Sequence, residues 1–242
     1  MTIKEKLEMN QTGLLEHGPI TIAAFGDSVT HGAFRAGEID FDHVYHRILA
    51  QKIAAVRAYV PVNVINAGIG GLTAKQSLGR MGKQVLAHHP DLVIVAFGLN
   101  DVNGTLDDYV DSLRTIFTKC KESEVDTVFL TPNMLNTYVS EDTAEKDAHY
   151  AHITAEYQNN GRMDAFIDAA RTLATDMGVK IADAYACWKK RAETEDTTLL
   201  LANRINHPTR EMHHLFADLL FAQIFDTNAT METAADSTMY RA

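Results

Sequence analysis

The chain has 242 residues, 46% of them hydrophobic, enough for one ordinary globular domain with a sizeable core. Its 22 Lys and Arg stand against 32 Asp and Glu, and a net charge of -10 repels a phosphate backbone, which argues against nucleic acid as a partner. No run approaches the ~20 apolar residues of a membrane helix, and Lys4, Glu5, Lys6 and Glu8 interrupt what a secretory signal keeps apolar, so the default location is cytoplasmic.

Short apolar runs alternate with longer stretches of helical period, the pattern of a parallel sheet covered by helices on both faces. Residues 1–19 are an N-terminal extension, and the domain spans 20–225. The first strand is 20–25, followed by a weak helical stretch, 41–59, and a second strand, 62–66. A further weak helical stretch, 73–88, leads to a third strand, 92–97. Leu106, Tyr109, Val110, Leu113, Ile116, Phe117 and Cys120 then recur at spacings of three and four, one face of a helix. The fourth strand is 125–130. The polar segment 131–161 reads as a mobile loop leading into a helix near the strand ends. Met163, Phe166, Ile167, Ala170, Leu173, Ala174 and Met177 repeat the helical pattern, and Gly178 caps it directly before the fifth strand, 179–183. Residues 209–225 are the closing helix. The last stretch, 226–242, lacks apolar periodicity and is either a disordered tail or an arm onto a neighbouring subunit of a homo-oligomer.

Four short segments carry chemistry. Gly26-Asp27-Ser28 ends the first strand and puts a hydroxyl at the carboxyl edge of the sheet, where open parallel sheets bind ligands. Alone, this tripeptide is an ordinary turn whose serine caps a helix. The glycines of 66–73 let backbone N–H groups approach a bound oxygen, or simply make a flexible turn. Gly98-Leu99-Asn100-Asp101 adds an amide donor and a carboxylate at the same rim, or an Asx turn. His207, in Asn206-His207-Pro208, precedes the closing helix; a lone His before Pro is more often structural than catalytic.

Taken together and in this order, each after its own strand, these segments resemble the SGNH or GDSL family of serine esterases and lipases over about 20–225. The resemblance implies a three-layer α/β/α sandwich with a five-stranded parallel sheet, flavodoxin-like, and it agrees with the strand count read from periodicity. It also implies Ser28 as nucleophile, and Ser28 N–H, Gly71 N–H and the Asn100 amide as oxyanion donors, with His207 as general base. The chemistry fits: a serine hydroxyl needs a base within hydrogen-bond reach at neutral pH, and imidazole titrates there. No cofactor and no metal is implied, and the expected partner is a small ester, with an O-acetylated carbohydrate as one candidate. The alternative is a carbohydrate- or ester-binding protein with the same pocket and little turnover, against which the joint presence of Ser28, Gly71, Asn100 and His207 argues.

One position departs from the family. The aspartate that usually stands three residues before the histidine is Arg204 here, and a guanidinium accepts nothing from an imidazole. Asn203, or a backbone carbonyl, is left as the group that orients the ring. The remaining conspicuous residues read as structure. Cys120 and Cys187 are packing thiols, Trp188 with Tyr185 either edges the pocket or, the better reading, fills the core, His149 and His152 lie on a solvated surface, and of His213 and His214 one faces the site side and one solvent.

Overall fold

The computed structural model describes residues 1–35 and 37–227. The helices are α1 (Ile3–Leu7), α2 (Gln11–His17), α3 (Ser28–His31), α4 (Tyr45–Val56), α5 (Ala74–Ser77), α6 (Met81–Gln84), α7 (Leu106–Glu122), α8 (Ala148–Asn159), α9 (Arg162–Asp176), α10 (Ala184–Arg191) and α11 (Arg210–Phe225). The strands are β1 (Ile20–Gly26), β2 (Val62–Gly68), β3 (Leu92–Ala96), β4 (Asp126–Leu130) and β5 (Lys180–Ala182), all parallel in the order β2-β1-β3-β4-β5.

The expected three-layer sandwich with five strands is therefore what forms. Helices α4 and α11 cover one face of the sheet and α7 and α9 the other. In β1, Ile20, Ile22, Ala23, Ala24 and Phe25 are all buried, as are Leu92 to Val95 of β3, which accounts for their unbroken apolar runs. β2 is an edge strand and is only partly buried, with Asn63 and Asn66 exposed. α7 and α9 bury the stripes expected of them, and Gly178, at φ 72°, ends α9 by donating to the Thr175 carbonyl at 3.0 Å. The stretch 73–88 is broken, two single-turn helices joined by one 3₁₀ turn and followed by another in place of one helix.

Two segments lie deeper in the fold than their composition suggests. Residues 1–19 pack into the domain: Ile3 and Leu7 join its core, and the buried Lys6 ammonium bonds Asp91 at 2.8 Å and the carbonyls of His17 and Pro19. The start of 131–161 is no surface loop, because Thr131, Asn133, Leu135 and Asn136 are fully buried. Its polar side chains meet backbone groups there: Asn133 donates to the Asn206 carbonyl, Asn136 to that of Ala151, and Gln158 accepts from Leu135 N–H. Both cysteines are buried free thiols, Trp188 and Tyr185 are buried, and His149 and His152 are exposed. From residue 228 on, the tail or arm lies outside the described residues. No helix among the described residues is long and apolar enough to cross a membrane.

Candidate active site

The strand order reverses between β1 and β3, and the crevice at such a reversal is where this architecture binds ligands. Ser28 follows β1 and Asn100 follows β3, so the two flank it. Asp27 caps α3, its Oδ1 accepting from Val29 N–H at 3.0 Å, and this cap puts Ser28 in the first helical position. Backbone packs on backbone here: a Cβ on Gly68 would collide with the main-chain nitrogen of His31, so β2 must end in glycine for α3 to lie against it. Arg80 closes the same corner from below, donating to the carbonyls of Ala67 at 2.6 Å and Gly26 at 3.1 Å, with its guanidinium 4.7 Å from the Phe25 ring centre. Arg80 lies in no recognisable motif, so nothing in the sequence marks it.

His207 reaches Ser28 across 179 residues of chain, with Nε2 2.9 Å from the hydroxyl oxygen. Its other nitrogen, Nδ1, is 3.0 Å from the main-chain oxygen of Phe34. A carbonyl only accepts, so Nδ1 carries the proton and Nε2 is left with its lone pair facing Ser28 Oγ–H, the tautomer a general base needs. Burial pushes the imidazole below its ordinary value, and the bond to Phe34 offsets part of that.

Asn203 does not touch the ring, which corrects its candidacy as orienting partner. Its Oδ1 accepts from three successive backbone N–H groups, of Ile205, Asn206 and His207, at 3.1, 3.0 and 2.9 Å. It shapes the loop that presents His207, and the second alternative, a backbone carbonyl, is the one realised. Arg204 points away, at φ 60°, and donates to Asp142 and to the carbonyls of Leu199 and Leu201.

The glycine-rich turn touches both sides of the crevice. Gly70 lies beside Ser28, its hypothetical Cβ 3.7 Å from Ser28 Cβ, and the next residue but one, Leu72, accepts a hydrogen bond from Asn100 Nδ2 at 3.1 Å. Gly71 sits between them in the left-handed region, φ 78°, and its N–H has no backbone acceptor among the described residues. The Ser28 N–H opens a helix and so has no acceptor one turn back. Asp101 fastens the rim from the side, accepting from Ala74 N–H at 2.8 Å, and burial lifts its carboxyl to about 6. Burial, helped by the Asp101 charge, lifts Asp27 to about 7. Beneath the site, His213 is fully buried with its ring centre 5.0 Å from that of Phe34, while His214 is partly exposed. A cavity of about 550 Å³, lined by Leu92, Phe117, Val128 and Ile224, lies toward the opposite, amino end of the sheet.

This arrangement supplies a hydroxyl, a base in the right tautomer, and unpaired N–H groups beside them, the components of acyl transfer. Residues 24–215 match the model of the GDSL-like lipase/acylhydrolase family. The chain is 23% identical over 216 residues to an acetylxylan esterase of Geobacillus stearothermophilus, covering 82% of this chain and 91% of that protein. The crystal structure of an acetylxylan esterase from the same organism superposes with a TM-score of 0.66 at 22% identity, over 85% of this chain and 94% of the other. An alpha/beta hydrolase enzyme from the metagenome of Lake Arreo, Spain, superposes with a TM-score of 0.65 at 20% identity, over 87% and 97%. The chain belongs to the GDSL-like lipase/acylhydrolase family and is a carboxylic ester hydrolase.

Proposed function

We propose that the protein removes small acyl groups, acetyl foremost, from O-acylated carbohydrates through an acyl-enzyme on Ser28, with His207 as general base. The observation that carries this reading is the pair of contacts on one imidazole, Nε2 to Ser28 Oγ and Nδ1 to the Phe34 carbonyl. The acetylxylan esterase relative supports the substrate class.

Ser28 Oγ attacks the ester carbonyl carbon while its proton passes to His207 Nε2. The oxyanion that forms is met by Ser28 N–H, Gly71 N–H and the Asn100 side chain. Collapse of the tetrahedral intermediate breaks the bond to the sugar oxygen, which takes the proton from His207. Water, deprotonated by the same nitrogen, then attacks the acyl-enzyme and frees the carboxylic acid and Ser28. The transient imidazolium is steadied by a neutral carbonyl, with no carboxylate against it.

The test is hydrolysis of p-nitrophenyl acetate and of acetylated xylo-oligosaccharides, with intact mass after treatment with a fluorophosphonate. Turnover of both substrates and a single adduct, all lost in Ser28→Ala, is the expected result. A folded protein that gains no adduct, or one labelled equally after the substitution, removes Ser28 from the nucleophile's role.

A further inference from the structure

We infer that Arg210 is a positioning residue that keeps the Phe34 carbonyl on His207 Nδ1, acting through Glu38 and Asp40 of the turn that follows α3, in place of the missing acid. The inference rests on the assignment of His207 as the base.

The turn bearing Phe34 leaves the end of α3 and folds back on itself. Ala33 N–H donates to the Ser28 carbonyl at 2.9 Å, Phe34 N–H to that of Glu38 at 3.1 Å, and Asp40 N–H to that of Gly32 at 2.8 Å. Its outer residues, Arg35, Gly37 and Ile39, are exposed, so burial on that side does not hold it in place. Within its own stretch of chain, Asp40 Oδ1 accepts from Asp42 and His43 N–H and Asp40 Oδ2 stands 2.8 Å from His43 Nδ1, while the tie to the helix behind His207 comes from α11. Arg210, three residues after His207, reaches Asp40 Oδ2 with Nε at 2.7 Å and Glu38 Oε1 with Nη2 at 2.5 Å. The guanidinium carbon also stands 4.6 Å from the centre of the Phe34 ring. His213, one turn further along α11, packs against the same ring. The residue whose carbonyl orients the base is thus gripped by two side chains of the helix that the base introduces.

The geometry makes the turn and the His207 segment one unit, joined at Nδ1 and again at Arg210. Exposed ion pairs contribute little to global stability, typically about 0–1 kcal/mol, so releasing them leaves the fold intact. The carbonyl is more sensitive. A displaced acceptor lets the proton move to Nε2, and an imidazole of that tautomer donates to Ser28 and cannot take its proton. Imposing the wrong tautomer in a chymotrypsin-type protease costs about 10⁴ in kcat, and a loosened rather than deleted acceptor is expected to cost about ten- to a hundredfold.

Charge and position are separable. The charged and titratable groups around the clamp are Arg210 and His213 from α11, Arg35, Glu38 and Asp40 from the turn, and His43, whose Nδ1 stands 2.8 Å from Asp40 Oδ2. Arg210→Gln removes a positive charge, whereas Glu38→Gln with Asp40→Asn removes two negative charges. Their direct electrostatic effects on His207 are opposite, and both undo the same clamp. Kinetics on p-nitrophenyl acetate and ¹⁵N shifts of the His207 ring should be measured for both variants, with thermal unfolding as a control. The expected result is a fall in kcat of about ten- to a hundredfold in both, with KM little changed and ring shifts moving from the Nδ1–H toward the Nε2–H tautomer. Arg210→Lys, which keeps one ion pair, should recover part of both readouts. Two folded variants that keep kcat within twofold and an unchanged tautomer, or that move kcat in opposite directions, overturn the inference. If one variant fails to fold, the other decides. If the unaltered protein shows no Ser28-dependent turnover, the proposed function fails, while the tautomer of His207 in the variants still tests the clamp.

Discussion

Asn100 donates one amide hydrogen to the Leu72 carbonyl at 3.1 Å, and its second hydrogen meets no acceptor among the described residues, as the proposed oxyanion role requires. The same bond fixes the direction of that second hydrogen, because an sp² amide turned by one partner is turned for both. Asn100→Ala is expected to lower kcat about 100-fold to 1,000-fold, the usual loss for one oxyanion donor. KM should change much less, since the interaction is strongest once the oxygen carries charge. Steady-state kinetics on p-nitrophenyl acetate checks this; a large rise in KM with kcat intact would show that Asn100 holds the substrate and not the oxyanion.

The two aspartates nearest before His207 in sequence, Asp183 and Asp196, are both committed elsewhere. Asp183 pairs with Arg171 at 2.8 Å, accepts from Thr131 Oγ1 and caps α10. Asp196 accepts from the Tyr138 hydroxyl and from Thr198 N–H. Asp183→Asn and Asp196→Asn are therefore expected to lower kcat less than tenfold, whereas Ser28→Ala and His207→Ala abolish turnover in the same assay. Either aspartate variant falling to the level of those two, with its circular dichroism unchanged, would reveal a relocated acid behind the base.

The parts of this site that were legible are those a side chain announces. Ser28 and His207 stand at the ends of segments whose apolar pattern gives the strand and helix away, and Arg204 at the acid's usual position already pointed to a neutral partner. Which neutral partner was not legible, because every residue has a carbonyl and Phe34 carries no mark of using its own. Asn203 looked suitable by chemistry, yet its oxygen is taken up by three N–H groups of its own loop. The segment from Thr131 misled for a related reason. Its polarity reads as solvent exposure, but Asn133 and Asn136 spend their amides on backbone carbonyls inside the protein, of Asn206, 73 residues on, and of Ala151 in the following helix.

His207 is held below the ordinary imidazole value of about 6.5, chiefly by burial. The acid limb of kcat/KM reports the free base, so its midpoint is expected below about 6.5. The fold sets a limit on that measurement. His46 and His213 are buried neutral, pushed down to about 4 and about 3 by desolvation. Because the unfolded chain binds protons at these sites first, their contribution to stability falls as pH drops below about 6.5 toward those values. Rates should be taken alongside thermal unfolding at each pH. A midpoint clearly above 6.5, in protein still folded, would mean that an anion and not the Phe34 carbonyl faces the ring.

Asp27 works in the opposite sense. Its buried carboxyl is lifted to about 7 by desolvation, with the nearby Asp101 charge adding to the effect. Between about pH 4 and 7 the folded protein keeps the proton that the unfolded chain has already lost. Stability is therefore lost as pH rises through that window and stays lower above it. The side chain is needed as the cap of α3, where Oδ1 accepts from Val29 N–H, and asparagine caps a helix about as well as aspartate while carrying no charge. Asp27→Asn should thus keep the nucleophile turn and remove the cost of ionising a buried acid. The variant is expected to melt several degrees above the unaltered protein at pH 8, given that ~1 kcal/mol shifts the midpoint of a chain this size by about 2–4 °C. The gap should shrink toward zero near pH 4, where both side chains are neutral. Melting curves at half-unit steps from pH 4 to 8 give the difference directly, and two parallel lines across that range would mean that Asp27 is ionised throughout and has a partner for its charge.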